Sequence, residues 1–207
     1  MNVEQVVVDA RGVQLPGELA VPAAAAGLVI FAHGSDSSRH SPRNKYVAHV
    51  LNRARFATLL FDLLTPTEAQ DRRNVFDIPA LADRLRATHE WAGRRLDLSV
   101  GYFGASTGAA AALWSAGSGS DVHAVVSRGG RVDLAATHLA DVTAPTLLIV
   151  GELDFDVLRH NRDAQQQLHC PNYLEVVPNA THLFTEPDTL ERVADLARNW
   201  FQAHLHG

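Results

Sequence analysis

Gly104-Ala105-Ser106-Thr107-Gly108 sets a serine between two glycines, after the apolar run 98–103 and before an alanine-rich stretch. A G-x-S-x-G pentapeptide so flanked reads as a strand, a tight turn and a helix start, with the serine exposed at the apex. Small neighbours let strand and helix backbones approach closely there. The helix that follows aims its first N–H groups and the positive end of its dipole back at the serine oxygen. This is an arrangement for nucleophilic attack. An alcohol attacks well only when a base takes its proton, and the imidazole that does so needs a carboxylate to orient it. Candidates for both follow in the chain: Glu152, Asp154 and Asp156 in one segment, His182 in another.

The elements that must position these groups are legible in the hydrophobic pattern. Residues 5–8 and 13–19 are rich in β-formers and flank Asp9-Ala10-Arg11-Gly12, which reads as a hairpin turn. Residues 27–32, 56–61 and 146–150 are continuous apolar runs suited to strands buried on both faces. Further strands are expected over 98–103, 124–127 and 173–177. Ser41-Pro42 is a cap followed by proline at the first helical position and opens a helix over 41–53. Other helices are expected over 77–94, 106–116, 132–139, 156–168 and 186–204. Strands alternating with helices at this spacing predict an α/β fold in one domain over residues 1–207. Its sheet is mostly parallel and covered by helices on both faces, with the N-terminal hairpin as an antiparallel edge.

Sheets of this kind place their chemistry at the carboxyl ends of the strands. After the strand ending at Ala32 comes His33-Gly34-Ser35-Asp36-Ser37-Ser38, and after the serine's own strand comes Ser106. After Val150 comes Gly151-Glu152-Leu153-Asp154, and after Val177 comes Pro178-Asn179-Ala180-Thr181-His182. With these four signals in this order, nearly the whole chain resembles an α/β-hydrolase, and in particular the small lidless dienelactone-hydrolase-like branch. Dienelactone hydrolases proper carry cysteine at the elbow, where this chain has Ser106. The resemblance therefore implies an esterase-type serine hydrolase more than lactone-specific chemistry.

Roles follow from the chemistry. Ser106 is the expected nucleophile, His182 its base, and Asp154 the carboxylate that fixes the imidazole tautomer. Asp156 and Glu152 compete with Asp154, but Asp156 sits where a helix cap is expected. Among the other histidines, His204 and His206 lie in the tail, His49 and His89 lie within helices, and His138 and His169 precede the turns they would need to follow. Two backbone donors are needed for the oxyanion, and the N–H groups of Thr107 and Ser35 are expected there. His33 and Gly34 shape that turn and, like Asp36 and Arg39, are candidates for contact with the substrate. Asp36 would narrow the pocket or cap a turn. Arg39 or Arg43 would contact an anionic substrate group, or pair with nearby carboxylates. Only a few residues around Ser127-Arg128-Gly129-Gly130-Arg131 stand where larger relatives insert a lid, so an open site for small esters is expected.

Composition narrows the class further. The net charge is −5, and the 18 basic residues, all arginine but Lys45, are interleaved with acids, so no nucleic-acid surface is expected. The apolar stretch 19–32 is interrupted by Pro22 and falls short of a membrane span. Met1 to Gln5 has no basic or apolar leader, and the single cysteine, Cys170, can form no internal disulfide, which suits a cytoplasmic chain. No H-E-x-x-H occurs and no G-x-G-x-x-G opens a helix, so neither metal nor dinucleotide cofactor is expected. The expected partner is a small-molecule ester, and the oligomeric state is open. Acyl transfer or perhydrolysis by the same triad, lactone hydrolysis, and a non-catalytic binding module are the alternative functions.

Overall fold

The computed structural model describes residues 1–205; His206, assigned to the tail above, lies outside them. Eight strands form one sheet in the order β1-β2-β4-β3-β5-β6-β7-β8. These are β1 (Asn2–Ala10), β2 (Val13–Val21), β3 (Leu28–Ala32), β4 (Ala57–Phe61), β5 (Val100–Ala105), β6 (Val122–Arg128), β7 (Thr146–Gly151) and β8 (Asn172–Val177). β1 and β2 are the antiparallel hairpin, β2 pairs antiparallel with β4, and every pairing beyond is parallel.

Every residue of β3, β4 and β5 is buried, because helices cover both faces of the sheet. Side chains still alternate. Leu28, Ile30 and Ala32 point to the side of α3 (Ile78–Gly93) and α4 (Thr107–Ser115), while Val29 and Phe31 point to that of α1 (Pro42–Arg53) and α6 (Thr189–His204). The turns that follow β3, β5, β7 and β8 carry His33, Ser106, Asp154 and His182.

The order of strands locates the site. From β3 the chain crosses to β4 on one side, then returns to β5 on the other. The crevice between the carboxyl ends of β3 and β5 is thus the point where strand order reverses, the place at which open α/β sheets bind ligands. The His33–Ser38 turn and Ser106 border it.

Several elements differ from expectation. The segment after β4 forms a 3₁₀ turn (Glu68–Gln70) and a one-turn helix, α2 (Arg72–Val75), where no element was anticipated. The short helix expected over 132–139 is a 3₁₀ helix and runs two residues further, over Val132–Asp141. The last helix begins at Thr189 instead of residue 186. Glu186 is occupied by the N–H and hydroxyl of Thr181, and Asp188 turns left-handed at φ 64°. Residues 129–131 alone link β6 to the 3₁₀ helix, which leaves no room for a lid domain.

Candidate active site

Ser106 joins β5 to α4 with φ 51° and ψ −120°, outside the region comfortable for a side-chain-bearing residue. Its backbone is clamped from both sides: its N–H donates to Arg128 O at 3.2 Å, and its carbonyl accepts from Ala109 and Arg131 at 3.1 and 3.0 Å. Although it stands at the N-cap position of α4, its side chain makes no capping bond, so the strain serves to present the hydroxyl. Glycine is required beside it. A Cβ on Gly108 would lie 2.1 Å from Ala32 O, and one on Gly34 would lie 3.1 Å from Ser106 Cβ. Any larger residue at either place would force the β3 turn away from the elbow.

The β3 turn is itself held from outside. Leu63 N–H donates to His33 Nε2 at 3.1 Å, so Nδ1 carries the proton and donates to Gly34 O at 2.9 Å. Burial pushes the His33 imidazole below its usual pKa, and neutral imidazole is the form this bonding needs. Arg39 N–H donates to Asp62 at 2.7 Å, and the Arg39 guanidinium forms an ion pair with the same carboxylate. Arg39 thus pairs with a nearby carboxylate, the second of the two roles expected for it. Asp36 points outward, 85% exposed, with Arg72 at 4.0 Å. Among the described residues, neither Ser35 N–H nor Thr107 N–H donates to a protein acceptor. Both stand at the junction of the turn and the elbow.

The other two groups arrive from β7 and β8. Asp154 occupies the N-cap position of α5 (Phe155–Gln167) but makes no side-chain cap. Its carboxylate instead accepts from His182 Nδ1 at 2.6 Å. That corrects the reason given for setting Asp156 aside: Asp156 lies inside the helix, exposed, 3.4 Å from Arg159. Glu152 is engaged as well, accepting from Asn179 N–H at 2.9 Å and tying the Asp154 loop to the His182 loop. Phe184, buried with φ 53°, anchors the latter. His182 Nε2 is left to face the cleft.

Ser106, His182, Gly34, Ser35, Arg43 and Arg128 line one cleft of about 290 Å³. Among the described residues no hydrogen bond joins Ser106 to His182, whose Nδ1 is taken by Asp154. On the far side of the Gly34-Ser35 turn lies an apolar pocket of about 180 Å³, lined by Leu63, Leu64, Pro66, Val75, Leu81 and Thr107. Neither this pocket nor the burial of Arg128 was anticipated from the sequence. Among the described residues, no group of three or more His, Cys, Asp or Glu is placed to hold a metal, and no helix is long and apolar enough to cross a membrane.

No family model matches the chain. A Mycobacterium tuberculosis protein provisionally named a phosphoribosyl transferase is 57% identical over 208 residues, covering 99% of this chain and 47% of that protein. The chain thus spans about half the length of the curated relatives it matches. Among solved structures, a dienelactone hydrolase from Anabaena variabilis is 50% identical, with 99% of each chain covered and a TM-score of 0.96. Est1E from Butyrivibrio proteoclasticus is 17% identical over 96% of this chain and 98% of its own, with a TM-score of 0.81. An esterase from Pyrococcus furiosus is 16% identical over 99% and 92%, with a TM-score of 0.79. At such identities the last two speak to the fold alone. The near-complete match at half identity, together with the elbow and the strand-end loops described above, places the chain in the α/β-hydrolase superfamily, within its dienelactone-hydrolase-like branch.

Proposed function

We propose that the chain hydrolyses small carboxylic esters through an acyl-serine intermediate. One observation carries this reading: the strained Ser106 shares its cleft with an imidazole whose Nδ1 is held 2.6 Å from the Asp154 carboxylate. In the first step Ser106 Oγ attacks the ester carbonyl and its proton passes to His182 Nε2. Asp154 fixes the tautomer and stabilises the imidazolium. The oxyanion would be met by Ser35 N–H and Thr107 N–H, neither of which is engaged by a protein acceptor; losing one such donor costs about 10²–10³ in kcat. Collapse expels the alcohol, which takes the proton from His182. Water then attacks the acyl-serine with the same imidazole as base and releases the acid.

The apolar pocket behind the oxyanion turn suits a short acyl group. Its size and the absence of room for a lid favour small substrates over long-chain lipids. Serine at the elbow, where dienelactone hydrolases carry cysteine, favours general ester chemistry. The test is a chain-length series of p-nitrophenyl esters on the wild type and Ser106→Ala. Turnover should be greatest for short acyl chains and fall by several orders of magnitude in the variant. Undiminished turnover in Ser106→Ala would remove the serine from the reaction.

A further inference from the structure

The cleft around Ser106 is positively charged for a reason the reaction itself does not supply. Arg128, the last residue of β6, is 7% exposed and lines the cleft floor. Arg43, in the first turn of α1, lines the same cleft. A guanidinium taken out of water is ordinarily answered by a carboxylate. Arg39 follows that rule through Asp62. Among the described residues, Arg43 and Arg128 form no ion pair, and the Nε of each is buried and donates to no protein acceptor. Arg128 Nη2 reaches Asn44 Oδ1 at 3.4 Å, and its Cζ lies 6.0 Å from the Phe184 ring, both weak contacts. Burial, and then the charge of Arg43, push the Arg128 pKa down to about 10, so it remains a cation at neutral pH. Asp36 is the one carboxylate among the lining residues, and it points outward.

Geometry assigns these two charges to one end of the substrate. The leaving oxygen must face His182, which protonates it, so the alcohol part occupies the cleft that holds Arg43 and Arg128. The acyl part is left for the apolar pocket across the oxyanion turn. We propose that Arg43 and Arg128 form an anion subsite for a phosphate carried on the alcohol part, so that the substrates are acyl esters of phosphorylated alcohols. Two cations with forked donors and no protein counter-charge complement a dianion better than a singly charged carboxylate. This rests on the ester-hydrolase reading and deepens it. The acyl–oxygen bond breaks as the departing oxygen takes the Ser106 proton through His182; water's hydroxyl then goes to the acyl carbon and its proton, again through His182, back to Ser106 Oγ. The phosphate ester bond is untouched.

The matched substrates are acetylglycerol, acetylglycerate and acetylglycerol 3-phosphate. In the wild type kcat/KM should rise along that series, with the phosphate favoured over the neutral ester by about tenfold or more, mainly through KM. That ratio should fall towards one in Arg43→Gln and Arg128→Gln, and recover in part in Arg43→Lys, which restores a point charge. Arg43 is only half-buried, so its variants report even where Arg128→Gln does not fold. A wild-type ratio near one, a ratio unchanged in Arg43→Gln, or a preference for the carboxylate over the phosphate would each overturn the phosphate assignment. If no acetyl ester is cleaved, the hydrolase reading fails separately. Calorimetric titration with glycerol 3-phosphate still decides the subsite, through binding that Arg43→Gln abolishes or no binding at all.

Discussion

A hydroxyl, an imidazole and a carboxylate stand in a row at each end of strand β5, contributed by different elements. At the carboxyl end they are Ser106, His182 and Asp154. Towards the amino end Tyr102 Oη lies 2.9 Å from His89 Nδ1, and His89 Nε2 lies 3.3 Å from Asp121. Only the first set has the arrangement that the proposed reaction needs. Its carboxylate is 14% exposed and its imidazole 38%, so the charge is held inside and the base reaches out. In the second set the order is inverted, with the imidazole 12% exposed and the carboxylate 86%, where solvent weakens the pair. Burial drives the Tyr102 phenol up and the His89 imidazole down, which leaves both neutral. Tyr102 lies inside a strand rather than at a turn, and its φ is not positive. A hydroxyl, an imidazole and a carboxylate in a row are therefore insufficient. The elbow, the glycines around it and the buried acid make the difference.

The largest expected effect separates the two hydroxyls. Ser106→Ala should lower kcat/KM for acetyl esters by about 10⁴-fold or more, whereas Tyr102→Phe should stay within about twofold; steady-state assays of both variants would erase the contrast if the losses were similar. The carboxylates come next. Asp154→Asn should reduce kcat by about 10²–10⁴-fold through the wrong tautomer of His182. Asp121→Asn and Asp156→Asn should leave it nearly unchanged, and a large loss in Asp156→Asn would transfer the role to that residue. A smaller effect is expected at the turn: Gly34→Ala should cost about 10–10²-fold in kcat by shifting Ser35 N–H, with the fold retained by circular dichroism. Wild-type kcat in that variant would mean that the turn contributes no donor.

The smallest effect concerns pH and stability at the amino end. His89 is held below its usual pKa by burial, so its folded form binds fewer protons than the unfolded chain once the pH drops under the unfolded value of about 6.5. Its contribution is therefore complete above that pH and lost below it. His33, depressed for the same reason, acts in the same direction. The Tm lost between about pH 7.5 and about pH 5 should be about 2 °C smaller in His89→Gln than in the wild type. Equal losses in thermal melts would mean that His89 is not kept neutral by the fold.

The buried strands and the order Ser, Asp, His were legible because both depend on local pattern. β3, β4 and β7 are apolar on both faces, and each functional group follows directly from a strand. What was not legible depends on distant partners. Arg39 and Arg43 are close in sequence and equally basic, yet one faces Asp62 at the end of β4 and the other the cleft. Nothing in the loop itself tells them apart. Arg128 ends an apolar strand, and its burial requires Asn44 on α1 and Phe184 beyond β8 to close over it. The helix of four residues at Arg72–Val75 is too short to carry a period. The structure puts Asp154 against His182, but the cap argument against Asp156 does not lead there, since the cap position is Asp154's own and its side chain is spent on the imidazole.

The central claim is that Ser106 is an activated nucleophile, and covalent labelling reads it directly. Treatment with a fluorophosphonate should add one label per chain, mapped by peptide mass spectrometry to Ser106, with none on Tyr102 and none in Ser106→Ala. An unlabelled wild-type chain, or a label that persists in Ser106→Ala, would contradict it.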